Sequence, residues 1–318
     1  MAGVSFVEEM IPLFGGLTRV APVVRREVQS RHQEAYYDVC GGHVMGVVSV
    51  HGGELYFDAA GDGEVCVTIH GGFGFDHTSL SPWLDPLASA MRVIYYDHRG
   101  CGRSSRIGMD ALTVNQLRDD VDAVREHVGA ERVTLFGHGW GSCVALEYAL
   151  AYPERVKRLI LVSGIPSFPV EGEMREAALQ RGTIDAVVGG IHNSGEDDDA
   201  LARAIGHALP LLFYDVENER VQRLFSHMLW SAPAALQWRR IFDGWSVRQS
   251  LAKIAAPTLL LAGEFNTVFP VSQSMALYEG IVNSSLELFG QSGHFPFVEE
   301  PEEFFRTVFE WLEAGALA

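Results

Sequence analysis

Apolar and polar positions along the chain change rhythm several times after residue 46. Short apolar runs at 64–69, 92–96 and 132–136 have the length and composition of buried strands. Between the last two runs, apolar residues recur at three- and four-residue spacing over 114–128. That spacing places them on one face of an amphipathic helix. The pattern predicts strands alternating with helices.

A hairpin precedes this alternation, because apolar segments 47–50 and 54–59 flank the turn His51-Gly52-Gly53. Later runs at 157–162, 258–262 and 286–289 add three strands, for eight in all. Helices are predicted at 140–151, 271–281 and 303–312. A hairpin followed by strand–helix alternation predicts an α/β fold, with a mostly parallel eight-stranded sheet covered by helices on both faces.

The strand rhythm stops between residues 165 and 251, where helical segments rich in aromatic residues predict a lid over the strand ends. The core is therefore expected to comprise 46–164 and 252–318. Residues 1–45 are expected to be an irregular N-terminal extension. The sequence leaves open whether that extension is a contact arm or a partly ordered tail.

Composition narrows the classes of partner. The chain has 318 residues, 47% of them hydrophobic, and a formal net charge of −17. That charge argues against nucleic acid and anionic membranes as partners. The four cysteines lack metal-ligand spacing, and no leader or spanning segment is recognised. We therefore expect a cytoplasmic protein with a small-molecule ligand, no cofactor and no metal, and leave homo-oligomerisation open.

The segment with the most chemical information is Leu135-Phe136-Gly137-His138-Gly139-Trp140-Gly141. It follows a predicted strand and opens a predicted helix, as a G-x-S-x-G nucleophile elbow does. Such a turn is too tight for side chains at the flanking positions, which here are Gly137 and Gly141. The central position, normally the nucleophile, is Gly139.

Three further loops complete a resemblance to the α/β-hydrolase superfamily. Residues 70–74 (HGGFG) resemble the oxyanion loop of proline iminopeptidases and related esterases, and residues 97–104 (DHRGCGRS) resemble a stretch of the same subfamily. Residues 292–296 (SGHFP) resemble the segment that carries the catalytic histidine. The resemblance runs from about residue 46 to the end of the chain and implies the α/β-hydrolase fold.

The resemblance also implies roles for individual residues. Backbone N–H groups of Gly72 and Trp140 match the oxyanion hole, and His294 matches the catalytic histidine. The residue in the acid position, after the penultimate strand, is Asn266. We expect Phe73 and His138 to line the same site.

Two members of the expected catalytic triad are therefore missing. Gly139 leaves the nucleophile position vacant, and glycine has no atom that could form an acyl-enzyme. Asn266 could orient His294 through a hydrogen bond but could not stabilise imidazolium by charge. The family's hydrolytic activity is therefore not carried over to this chain.

Other residues near these positions are expected to have structural roles and not to replace the missing nucleophile or acid. Ser142 and Cys143 lie further along the helix, Cys101 belongs to a turn, and Glu264 precedes the acid position as an exposed glutamate. Loop support is the predicted role of three more residues, His70, Asp97 and Arg99.

Three hypotheses remain. The favoured one is an enzyme in which His294 moves a proton of a carbonyl compound held in the oxyanion hole. It would act as a lyase, isomerase or cyclase, or hydrolyse by direct attack of water. The second is a catalytically silent small-molecule binding protein. The third is a serine hydrolase of esterase or aminopeptidase type inactivated by substitution at position 139.

Overall fold

The computed structural model describes residues 24–30, 33–40, 42–72, 74–106, 112–168 and 194–315. The strands of these residues are β1 Val24–Ser30, β2 Gln33–Cys40, β3 His43–Val50, β4 Gly53–Ala60, β5 Val65–Ile69, β6 Arg92–Tyr96, β7 Val133–His138, β8 Val156–Val162, β9 Thr258–Gly263 and β10 Ser284–Phe289. These ten strands form one sheet in the order β1-β2-β3-β4-β6-β5-β7-β8-β9-β10.

The six strands β5 to β10 run parallel to one another. Their segments read as continuous apolar runs because the central strands are buried on both faces; every residue of β5, β7 and β9 is buried. The predicted hairpin forms the antiparallel pair β3–β4, and β4 joins β6. The predicted mostly parallel eight-stranded sheet is thus confirmed for β3 to β10.

Strands β1 and β2 correct the expectation that residues 1–45 are irregular. They pair with each other and continue the antiparallel edge through β2–β3. Their pairing is between backbone groups on a sheet edge, and local periodicity carries no signal for such a partner. Residues 1–23 lie outside the described part of the chain.

Helices cover the sheet where the apolar stripes predict them. Thr113 caps the first helix by accepting a hydrogen bond from the Gln116 N–H at 3.2 Å. In the described residues the α-helices are α1 Val114–His127, α2 Trp140–Ala151, α3 Asp198–Leu212, α4 Glu219–Leu224, α5 Ala232–Phe242, α6 Val271–Gly280, α7 Pro296–Glu299 and α8 Pro301–Ala314.

Helices α3 to α5 form what we call the helical insertion, residues 194–251. Its backbone joins the core loops where the Ser231 N–H donates to the Gly74 carbonyl at 2.9 Å and the Leu229 N–H donates to Asp76 at 3.2 Å. The ring of Trp238 packs against His98, 4.7 Å between centroids. The insertion therefore lies over the carboxyl ends of the strands. Residues 169–193 of the predicted lid lie outside the described ranges.

No helix among the described residues is both long and apolar enough to cross a bilayer. Cys66, Cys101 and Cys143 are buried free thiols. Burial raises the pKa of Cys101 and of Cys143 well above the ordinary value, so both remain protonated at neutral pH.

Candidate functional site

The turn between β7 and α2 has the shape predicted for a nucleophile elbow. Gly139 adopts φ 54° and ψ −120°, and its N–H donates to the Val162 carbonyl at 2.9 Å. A Cβ on Gly141 would lie 2.0 Å from the Ile69 carbonyl oxygen, and one on Gly137 would lie 2.8 Å from Cα of Ser142. The flanking glycines are therefore required by contacts with backbone atoms.

Gly139 is different, because the first obstacle to a Cβ there is a side chain. A Cβ built on Gly139 would lie 2.8 Å from Nε2 of His294 and 3.8 Å from a ring carbon of Phe269. The imidazole thus sits directly over the position where the family places its nucleophile. The structure brings the predicted residues 139 and 294 together.

Asn266 fixes the tautomer of His294. The Oδ1 atom of Asn266 accepts a hydrogen bond from the Phe269 N–H at 3.1 Å, which identifies this atom as the amide oxygen. The same oxygen lies 3.2 Å from Nδ1 of His294, so Nδ1 must carry the proton and donate it. Nε2 is then an unprotonated acceptor facing Gly139.

The backbone of His294 is anchored on both sides. Its carbonyl oxygen accepts hydrogen bonds from Ser163 Oγ and from His138 Nε2, each at 2.9 Å. Its N–H donates to the Leu212 carbonyl at the end of α3. The histidine is therefore held from β8, from the elbow and from the helical insertion at once.

The electrostatic surroundings keep His294 neutral. Burial, and then the neighbouring His138, lower the pKa of His294 well below its ordinary value. No carboxylate among the described residues contributes to this pKa, in contrast to a triad with an aspartate. The amide Nδ2 of Asn266 has no hydrogen-bond partner in the described part of the chain.

Comparison with known proteins decides the family. The model of the α/β-hydrolase fold matches residues 65–301, which contain the elbow, Asn266 and His294. The chain belongs to the α/β-hydrolase fold family.

Similar sequences within this family are named as hydrolases. A proline iminopeptidase of Clostridioides difficile is 28% identical, covering 85% of this chain and 98% of its own. A proline iminopeptidase of Saccharolobus solfataricus is 27% identical, covering 80% and 86%. Among solved structures, an esterase of Exiguobacterium antarcticum superposes with a TM-score of 0.68 at 24% identity, covering 84% of this chain and 98% of its own. At that identity the structural similarity concerns the fold alone.

Gly72 and Trp140, the residues predicted to form an oxyanion hole, lie next to each other. A Cβ on Gly72 would lie 3.0 Å from Cδ1 of Trp140, so any larger residue would require the Trp140 side chain to shift. The Trp140 ring continues into an aromatic wall with Phe168 and Phe242, at 4.5 Å and 5.0 Å between centroids. Phe73, the other predicted lining residue, lies outside the described residues.

His138, the last residue of β7, contacts both the main chain and the ring of His294. Besides its bond to the His294 carbonyl, its ring packs against the His294 ring at 4.6 Å. Burial lowers the pKa of His138 to about 4, and its Nδ1 has no partner among the described residues. This placement agrees with a supporting role better than with a substrate contact.

The residues close to the nucleophile and acid positions make contacts that agree with their predicted structural roles. Ser142 Oγ donates to the Gly139 carbonyl at 2.6 Å and so stabilises the turn. Glu264 is exposed, whereas Asn266 two residues later is buried. Cys101 and Cys143 are buried thiols.

The loop-supporting roles predicted for three residues are confirmed. His70 Nε2 accepts from the His98 N–H at 3.1 Å, and Nδ1 of His70 donates to the Gly71 carbonyl at 2.8 Å. Asp97 accepts from the backbone of His77 and of Arg103, each at 2.8 Å. The guanidinium of Arg99 forms a two-bond ion pair with Asp120, donating to both carboxylate oxygens.

Sequence reasoning missed Ser163 as a site residue. It is buried and has φ 52°, in the left-handed region that non-glycine residues rarely adopt. Its hydroxyl holds the His294 carbonyl. The available signal was the Ser163-Gly164 pair after an apolar strand, but nothing local indicates that its partner is 131 residues away.

Proposed function

We propose that this α/β-hydrolase-fold protein is an enzyme in which His294 transfers a proton of a carbonyl-containing small molecule. The substrate carbonyl or its enolate accepts hydrogen bonds from the N–H groups of Gly72 and Trp140. Nε2 of His294 takes the proton from the substrate, or from a water that attacks it. The helical insertion serves as the lid of this site.

One observation carries the proposal. Asn266 Oδ1 is held by the Phe269 N–H and therefore requires the proton of His294 on Nδ1. The unprotonated Nε2 faces the place that a serine side chain would occupy. A base beside an anion hole, without a nucleophile, is the arrangement that enolisation or direct water attack requires.

Asn266 also narrows the substrate class. A base with a low pKa and no carboxylate partner removes protons efficiently only from acidic substrates. An anion formed in the site would itself pair with the imidazolium and replace the missing aspartate charge. We therefore propose substrates such as 1,3-dicarbonyl compounds, whose C–H protons are acidic.

Solvent-proton exchange tests the proposal without knowledge of the product. In D₂O, NMR follows deuterium incorporation into a panel of 1,3-diketones and β-keto esters. We expect exchange above the buffer rate for the natural sequence and a loss of about 10²–10⁴-fold in His294→Ala. His207→Ala, an exposed histidine on α3, is the matched control and should leave exchange unchanged.

Two outcomes would contradict the proposal. Equal exchange by the natural sequence and His294→Ala would remove His294 from the chemistry. No exchange above buffer across the panel would favour the silent binding protein.

An inactivated serine hydrolase is the second candidate, and the intact elbow favours it. The atoms closest to a side chain added at position 139 belong to the His294 ring, and the remaining obstacle is the positive φ of the turn. Gly139→Ser, alone and with Asn266→Asp, should then gain a burst phase with short p-nitrophenyl esters. Absence of a burst in the double variant, with the fold verified by circular dichroism, would argue against this candidate.

A further inference from the structure

The end of α3 contacts both loops that carry the candidate catalytic side chains. The Leu212 carbonyl accepts from the His294 N–H, and the Leu211 carbonyl accepts from the Thr267 N–H at 3.4 Å, next to Asn266. A Cβ on Gly293 would lie 2.2 Å from the Leu212 oxygen. The helical insertion is thus packed tightly against the histidine loop, residues 291–295.

Glu299 bridges these two parts through its carboxyl group. One oxygen accepts from the N–H groups of Tyr214 and Asp215, at 2.7 Å and 3.2 Å, just after α3. The other oxygen accepts from the Gly293 N–H at 2.7 Å, immediately before His294. A single side chain therefore joins the insertion to the residue that precedes the histidine.

No cation among the described residues pairs with Glu299. Arg220 on α4 pairs with Glu302 instead, at 3.3 Å. Burial disfavours the charged form of Glu299, and the charge of the adjacent Glu300 adds to this effect, whereas the Asp215 carboxylate accepts from the Glu217 N–H. Burial, the largest cause, raises the pKa of Glu299 to about 7 despite its three backbone donors.

We propose that Glu299 is a positioning residue for His294 and that its ionisation loosens the contact between the helical insertion and the histidine loop. The direction of this pH effect follows from the different proton affinities of the closed and open arrangements. The closed arrangement binds the proton more tightly than an exposed carboxyl does, so the resulting stabilisation of closure is full below pH 4.5 and is lost as pH rises from there through about 7. Opening the contact hydrates the carboxylate and relieves the cost of its burial.

The inference rests on the proposed function only in taking His294 as the acting residue. The test uses amide hydrogen exchange and needs no substrate. A failure here would leave the proton-exchange experiment on His294 unaffected, and the reverse also holds.

Hydrogen exchange of the Tyr214, Asp215 and Gly293 amides, normalised to intrinsic rates, is measured at pH 6 and pH 8. Linkage between a carboxyl of pKa about 7 when closed and about 4.5 when open predicts protection about tenfold lower at pH 8. Glu299→Gln should abolish this pH dependence. Glu300→Gln should retain a pH dependence with a lower midpoint, because Glu300 raises the pKa of Glu299 but does not bond the insertion.

The ring of His294 provides a second readout. Its ¹⁵N shifts should change between pH 6 and 8 in the natural sequence and in Glu300→Gln, but not in Glu299→Gln. His77, whose pKa is raised through its bond to Asp97, remains in all variants and so cannot account for a difference among them. Protection that is equal at both pH values in the natural sequence, or an unchanged pH dependence in Glu299→Gln, would overturn the inference.

Discussion

Gly137 and Gly141 differ from Gly139 although all three lie within one turn. Backbone atoms of β5 and α2 occupy the space of a Cβ at the two flanking positions. At the central position the obstacle is the movable ring of His294. Backbone packing therefore requires glycine at the two flanking positions. At the central position, where the family has its nucleophile, packing leaves the residue open to change. The shape of an elbow is therefore no evidence that a nucleophile is present.

Gly141→Ala should have the largest effect on stability among the variants that test this difference between the flanking and central glycines. A methyl group 2.0 Å from the Ile69 carbonyl oxygen can be accommodated only by moving β5 or α2. We expect a loss of about 3–5 kcal/mol in the free energy of unfolding, measured by urea denaturation. Gly206→Ala on α3, where no atom lies within 4 Å, is the matched control and should be neutral or slightly stabilising. Equal effects at the two positions would refute the contrast.

Acid should weaken the scaffold through its buried histidines. Burial lowers the pKa of His70 and of His138 to about 4, against about 6.5 when unfolded. The unfolded chain then binds protons first, so stability is present above pH 6.5 and is lost as pH falls towards 4. We expect a loss of at least about 3 kcal/mol by pH 4, because His98 and His294, whose pKa values burial also lowers, add to the loss, and the raised pKa of Glu299 offsets only part of it. Urea midpoints that stay constant from pH 7 to pH 4.5 would contradict this.

Gly139→Ala tests the open position itself. We expect a loss of about 1–2 kcal/mol from the left-handed backbone and a displaced His294 ring. Gly129→Ala isolates the backbone part, because Gly129 has φ 74° and no atom within 4 Å. The two variants should lose similar stability, but only Gly139→Ala should change the ¹⁵N shifts of His294. Unchanged shifts would show that the ring does not occupy the predicted space.

Ser163 has both a strained backbone and a side-chain bond to the candidate catalytic histidine. Its variants should have the smallest effects on the free energy of unfolding. Ser163→Ala loses the bond to the His294 carbonyl and keeps the strained backbone at φ 52°. Ser163→Gly loses the same bond but removes the strain. We expect the glycine variant to be more stable than the alanine variant by about 1 kcal/mol in urea denaturation. The reverse order would mean that the left-handed conformation is not strained here.

The sequence predicts those parts of the molecule whose signals are local. Apolar runs predict strands β3 to β10, and the glycine spacing of 137–141 predicts the elbow. Asn266 and His294 follow from their positions after strands and from the family resemblance, and they meet at 3.2 Å.

Pairings between distant segments are not predictable in the same way. Strands β1 and β2 are stabilised as strands by a neighbouring backbone edge, and their own periodicity does not reveal that edge. The bonds from Ser163 to His294, and from Glu299 to Tyr214, join segments that local patterns treat as unrelated. Tertiary contact alone determines these partners.

The anchoring of His294 through its main chain has a consequence for protein engineering. Its N–H and carbonyl are held by Leu212, Ser163 and His138, and none of these bonds uses the imidazole. A different side chain at position 294 would therefore be presented at the same point and in the same direction. Because that point lies directly over Gly139, an acid, amine or thiol introduced at position 294 would be placed where the imidazole now stands.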